Sequence, residues 1–283
     1  MTASTPSNVR GLGRSALNAV RALSFAAVLA VGVGAASASF ADPENAPALQ
    51  AYNTRQYQQA VDLTTKTLAA KDNIEALYIR GNAYNAMGNF AAAISDFEKA
   101  KTLTAAAGGG PMLMAINNSL ITSYMFGGQT DKGVAAYQEM KKANATDTRP
   151  DDTLVQGFQA QANNAVRAGK INDAIASLER AATEVPSKAA PLYAIAAYYM
   201  STAPGADWKK VQAEAGKSLA VDPNNARANF VLGVALANLS DTPGAIAALQ
   251  KAKANAGSDA NLAHDIDGAL TQLQPAAAPA PKG

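Results

Sequence analysis

The sequence predicts an all-α protein assembled from repeated helical hairpins, and three observations carry that reading. Apolar and small residues recur at helical spacing on both sides of Gly88-Asn89, from Ala76 to Met87 and again from Phe90 to Ala100, which reads as a helix, a turn and a second helix. The pattern returns in Asn229 to Leu236 and Ala245 to Ala252. The compact residue that opens each second helix, in turn Ala60, Ala93, Gly133, Ala174, Val211 and Ala245, recurs at intervals of 33, 40, 41, 37 and 34 residues. A recurrence of that length marks a repeat array in which neighbouring hairpins bury each other's apolar faces.

Composition narrows the function. Of 283 residues 48% are apolar and 16% charged, with a mean hydropathy of −0.07, enough to bury a core without spanning a membrane repeatedly. The absence of cysteine excludes disulfides, thiolate metal sites and cysteine nucleophiles, and the single histidine, His264, cannot build a multi-histidine metal centre. A net charge of +2 is too balanced to argue for nucleic acid or an anionic membrane surface.

Residues 1–41 read as a signal peptide. Arg10, Arg14 and Arg21 precede an apolar run from Ala22 to about Val33, and small residues follow in Ala35-Ala36-Ser37-Ala38-Ser39-Phe40-Ala41. The run is short of the roughly twenty residues a membrane span needs. Cleavage is expected after Ala38 or Ala41; removal of residues 1–41 takes away three arginines and no acid, leaving a net charge of −1. The expected destination is a bacterial periplasm, with the extracellular space as the alternative.

The repeat domain is expected over residues 42–273. At its front Tyr57, Ala60 and Leu68 fit a second helix whose partner, near Ala46 to Asn53, is short. The hairpin of Gly81, Tyr84, Ala93, Phe97 and Ala100 follows. A weaker copy is outlined by Tyr124, Gly128, Gly133, Tyr137 and Met140, and a clearer second helix by Ala174, Leu178, Ala181 and Pro186. Another weak copy, Tyr199, Val211, Ala215 and Pro223, carries an insertion around Ala203-Pro204-Gly205. Loop formers at Ala105 to Pro111 and Asn144 to Pro150 account for the longer intervals; the three glycines Gly108, Gly109 and Gly110 lack the lysine and hydroxyl of a phosphate loop. Asp259 to Leu273 reads as a capping helix with Leu262, Ile266 and Leu270 on one face, and residues 274–283 as a disordered tail of Ala and Pro.

The order of Gly81, Tyr84, Ala93, Phe97 and Ala100 resembles the tetratricopeptide repeat, as does the Val221-Asp222-Pro223-Asn224-Asn225 turn before the Asn229 copy. Glycine and alanine fit where paired helices cross, and large rings fill the hairpin. The resemblance implies a right-handed superhelical solenoid of about six hairpins plus a C-terminal cap. It also implies a protein-binding or scaffolding role, with a peptide or protein segment held in a concave groove lined by first helices. Groove candidates by displacement from Gly81 and Tyr84 are Tyr78, Asn82 and Asn85, then by analogy Asn118, Thr122, Gln159, Asn163, Arg167, Tyr193, Met200, Phe230 and Asn238. Side-chain amides both donate and accept, so a row of them suits a peptide main chain. Repeats of this family that clamp chaperone C-termini use groove lysines and arginines; Tyr78 stands where one such lysine would lie, which argues against that ligand.

No cofactor, metal or nucleic-acid partner is expected. His264-Asp265 cannot form a catalytic pair, since adjacent helical residues diverge by about 100°. HExxH and GxSxG are absent. The second functional reading is a structural, self-associating envelope protein, as monomer or dimer; a hydrolase with a carboxylate site ranks third.

Overall fold

The computed structural model describes residues 42–273. The expected signal segment and tail, residues 1–41 and 274–283, lie outside them. The described residues hold thirteen α-helices, two 3-10 turns and no strand. In chain order the helices are α1 (Ala46–Asn53), α2 (Tyr57–Ala70), α3 (Ile74–Ala86), α4 (Phe90–Ala106), α5 (Pro111–Phe126), α6 (Thr130–Ala143) and α7 (Arg149–Arg167). They continue with α8 (Ile171–Glu184), α9 (Ala189–Thr202), α10 (Trp208–Val221), α11 (Ala226–Asn238), α12 (Thr242–Asn255) and α13 (Ala260–Leu273). This is the all-α helical repeat fold, six successive helix pairs and a closing helix.

One turn recurs in five of the six pairs. Three residues link the helices, the middle one is left-handed, and the third returns its N–H to a carbonyl five residues back. The middle residues are Arg55 (φ 62°), Gly88 (φ 77°), Gly128 (φ 77°), Gly169 (φ 73°) and Ser240 (φ 66°). The closing bonds are Gln56 N to Ala51 O, Asn89 N to Tyr84 O, Gln129 N to Tyr124 O and Lys170 N to Ala165 O, each 2.8 Å, and Asp241 N to Leu236 O at 2.9 Å. The pair α9 and α10 departs from it with the longer link 203–207, where the sequence places its insertion.

Packing divides the described residues into two compact units, 42–160 and 161–273. In the first, α3 packs against α2 and α4, α4 against α5, and α5 against α6. Ala48, Ala51, Ala60, Val61, Ile79 and Ala83 form a buried cluster at its front, flanked by Tyr52, Tyr57 and Tyr84. Burial pushes the Tyr52 hydroxyl up to about 12, with Tyr57 and Tyr78 adding to it. Arg80 of α3 grips Asp96 of α4 through Nε at 2.8 Å and Nη2 at 2.7 Å, a two-pronged pair. In the second unit α9 packs against α8, α10 and α11, and α12 against α11 and α13. Leu262, Ile266 and Leu270 are buried, the face expected of a cap.

Helix starts are fixed by short polar side chains. Asn73, Asn89 and Asn225 each accept an N–H from the first turn they precede, as do Asp207, Asp241 and Asp259. One boundary differs from the sequence reading. Arg149 and Pro150, read there with a loop, open α7, because proline in the first helical turn gives up no needed N–H.

Candidate functional site

The candidate positions lie on the first helices of the pairs, α3 and α5 in the first unit, α9 and α11 in the second, and α7, whose residues divide between them. Their amides turn out to be tied to hydroxyls about one repeat further along the chain. Asn85 Oδ1 on α3 accepts from Ser123 Oγ on α5 at 3.0 Å. Asn118 Oδ1 on α5 accepts from Thr153 Oγ1 on α7 at 3.0 Å. In the second unit, Asn163 Oδ1 on α7 accepts from Tyr199 Oη on α9 at 2.8 Å. The separations are 38, 35 and 36 residues, so each amide carbonyl interlocks its helix with the first helix of the next pair.

The orientation has a chemical consequence. With Oδ1 taken by a neighbouring hydroxyl, the NH2 of each amide is aimed elsewhere. Among the described residues Asn118 Nδ2 and Asn163 Nδ2 make no hydrogen bond, and both residues are half-buried. They are fixed donors able to meet a carbonyl from outside. Asn82 and Asn238 differ, because Nδ2 of each bonds the carbonyl four residues back in its own helix, Tyr78 O and Val234 O, at 2.8 Å.

The other candidates divide further. Tyr78 is buried with its ring 5.9 Å from that of Phe97, and its hydroxyl, in contact with the Ser119 and Asn82 side chains, is pushed up by burial. Phe230 is buried as well. Both rings pack in the interior, which leaves them little surface for an apolar pocket. Tyr193 is half-buried and its ring lies 5.5 Å from Lys217 Nζ of α10, a cation held over an aromatic face within its own hairpin. Thr122 is buried, Gln159 and Met200 are half-buried, and Arg167 is exposed in the last turn of α7. The first unit thus gathers Tyr78, Asn82, Asn85 and Asn118 along α3 and α5; in the second, Asn163 meets Tyr199.

Sequence reasoning missed the hydroxyl partners, Ser119, Ser123, Thr153 and Tyr199. A spacing of about 36 between amide and hydroxyl was present as a signal, but only contact shows which hydroxyl answers which amide. It also missed a charged knot in the second unit. Lys217 Nζ lies 2.7 Å from both Glu179 Oε1 and Glu214 Oε2. Glu214 is only 3% exposed and its Oε1 has no partner among the described residues. Burial raises the Glu214 carboxyl, while hydrogen bonds from Lys217 work the other way.

Among the described residues no group of three metal-ligating side chains could hold an ion, and no helix is long and apolar enough to cross a membrane. His264 is exposed on α13.

Residues 74–106, which span α3 and α4, match a family model of the tetratricopeptide repeat, and residues 212–260, from α10 through α12, match a second. Two stretches of the chain, one in each unit, thus match the tetratricopeptide repeat. Both matched stretches contain one of the two hairpins that resemble the family most in sequence. No curated protein matches the chain. Among solved structures it is similar to the C-terminal part of a TPR repeat-containing protein from Cytophaga hutchinsonii, at 17% identity over 81% of this chain and 95% of that one, with a TM-score of 0.45. It is also similar to a tetratricopeptide repeat protein from Parabacteroides merdae, at 16% identity over 85% and 88% of the two chains and a TM-score of 0.37. A third is the TPR2AB domain of yeast Sti1 in a pHSP90 complex, at 17% identity over 83% and 99%, with a TM-score of 0.38.

Proposed function

We propose that the protein is a non-enzymatic interaction scaffold. Its tetratricopeptide hairpins hold an extended protein or peptide segment against the first helices, in the bacterial cell envelope after export directed by residues 1–41. The observation that carries the binding reading is a clamped amide in each unit. Asn118 and Asn163 are each fixed through Oδ1 by a hydroxyl of the following first helix, and each keeps two N–H donors unspent. Donors held in place by the fold bind at a lower entropic cost than mobile ones. Main-chain carbonyls are the acceptors that any peptide offers, so such donors favour a segment read by its backbone.

Aspartate at these positions keeps an acceptor for Thr153 or Tyr199, removes both donors and adds a charge that repels carbonyl oxygens. The test is therefore Asn118→Asp with Asn163→Asp, probed on an array of peptides tiled from envelope proteins of the same bacterium. The expected result is retention of several peptides by the parent and at least tenfold weaker retention by the double variant at unchanged helicity. Undiminished retention by a folded double variant would defeat the assignment.

A further inference from the structure

Within the first unit, α5 carries no charged residue along its sixteen positions. It is tied to α3 through Ser123 and to α7 through Thr153. The cations on α3 and on the first-unit part of α7 are Arg80 and Arg149, and both are already paired, Arg80 with Asp96 and Arg149 with Asp147, each at 2.7 Å. An anionic ligand laid on α5 therefore finds no unpaired cation on these helices.

The two interlocks of this unit leave the same polarity behind. Ser123 Oγ occupies Asn85 Oδ1 and Thr153 Oγ1 occupies Asn118 Oδ1, while neither amide NH2 has a partner among the described residues. The acceptors are used and the donors remain. Asn85 is buried, whereas Asn118 is half-buried and open to an incoming group. Met114 lies four residues before Asn118, on the same side of the helix, in a half-buried apolar run with Met112, Leu113 and Ala115. Apolar surface thus adjoins a fixed pair of donors.

That pairing discriminates among peptides. An ordinary segment brings an N–H with nearly every carbonyl, and the Asn118 amide has no acceptor left to answer it; covering an unanswered N–H costs affinity. Proline keeps the carbonyl, has no N–H and presents an apolar ring. A proline-rich segment also stands in the polyproline II conformation before it binds, with its carbonyls free of internal hydrogen bonds, so less order is imposed on docking.

We propose that the Met114–Asn118 face of α5 takes a proline-rich segment of a partner protein in the polyproline II conformation. Asn118 Nδ2 donates to a main-chain carbonyl of the segment, and a pyrrolidine ring packs on Met114. The proposal rests on the binding reading above and adds to it the class of segment.

The test is fluorescence anisotropy on the full chain with three peptides of equal length carrying the same dye, repeats of Pro-Ser-Pro, Ala-Ser-Ala and Glu-Ser-Glu. The proline peptide is expected to bind about tenfold more tightly than either of the others. Asn118→Asp, which keeps an acceptor for Thr153, should weaken the proline peptide about tenfold at unchanged helicity. Met114→Ser should weaken it about threefold and gives the deciding measurement if the aspartate variant loses helicity. Equal binding of the proline and alanine peptides, tighter binding of the glutamate peptide, or undiminished binding of the proline peptide by either folded variant would overturn the proposal. If the tiled envelope peptides are still retained through Asn118 and Asn163, such a result leaves the binding reading standing; if neither they nor the proline peptide bind, both fall.

Discussion

Gly81 lies so close beneath Phe97 that a β-carbon on it would stand 2.7 Å from Cε1 of the ring and 2.8 Å from Cζ. The pair sits where α3 crosses α4, and Phe97 is fully buried there. The same relation recurs sixteen residues apart in the other strong hairpin, where a β-carbon on Gly233 would stand 2.6 Å from Leu249 Cγ. Gly81→Leu is therefore expected to destabilise the fold by about 1 to 3 kcal/mol through overpacking, read as a lowered melting temperature by circular dichroism. Combining it with Phe97→Ala should cost less than the two changes added separately, because the leucine then occupies the space of the lost ring. Strict additivity would show that the two residues do not share a slot.

The five short turns give a prediction of opposite sign. Arg55 and Ser240 adopt the left-handed conformation that Gly88, Gly128 and Gly169 take without steric penalty. Both are exposed. Arg55→Gly and Ser240→Gly should each raise stability by about 0.5 to 1 kcal/mol, the relief of strain exceeding the added freedom of the unfolded chain. Gly88→Ala should lower it by a similar amount. Urea midpoints of the three variants check the set, and a loss on Ser240→Gly would show that its side chain does more than occupy the turn.

Removing the hydroxyl from Tyr199 tests the interlock. Tyr199→Phe leaves Asn163 Oδ1 without its donor and should cost about 0.5 to 1.5 kcal/mol, the ordinary net value of such a bond. Its effect on peptide retention should exceed what its stability loss explains, since the amide it orients is no longer held. An equal loss of retention in a variant matched for stability elsewhere would remove the positioning role.

The Glu214 knot sets a pH dependence. Burial raises the Glu214 carboxyl in the folded state above its unfolded value, so the fold binds that proton more tightly than the open chain. Its contribution therefore favours folding at acid pH and weakens as pH rises from the unfolded carboxyl value through the folded one. Lys217, raised chiefly by its hydrogen bonds to Glu179 and then Glu214, contributes its stabilisation fully below the unfolded lysine value and loses it only as pH rises through the folded one. Lys217→Met should thus be most damaging near neutrality, where it strands a buried charge, and least near pH 4. Melting temperatures of parent and variant across pH 4 to 8 provide the check; parallel curves would mean that Glu214 stays protonated throughout.

Much of the architecture was legible because it rests on local chemistry. Gly88-Asn89 marks its turn through a residue free to go left-handed and a side chain that caps α4. The short α1 and the cap residues Leu262, Ile266 and Leu270 follow from apolar spacing. The turns at Arg55 and Ser240 were harder to see, since the backbone there is fixed by the closing bond and not by the residue's preference. Pro150 belongs by composition to a stretch of loop formers, although proline both ends and begins helices. The candidate face was legible only as a set of positions. Whether Asn82 bonds its own helix while Asn163 answers Tyr199 depends on contacts across repeats, and burial of Tyr78 and Phe230 depends on neighbours that spacing alone does not reveal.

The triglycine link after α4 offers an engineering site. Gly108, Gly109 and Gly110 all have positive φ, and a β-carbon on Gly108 or Gly110 would meet no atom within 4 Å. Foreign sequence such as an epitope tag or a fluorescent reporter is best grafted there, whereas the three-residue turns, each locked by its own closing bond, would reject it.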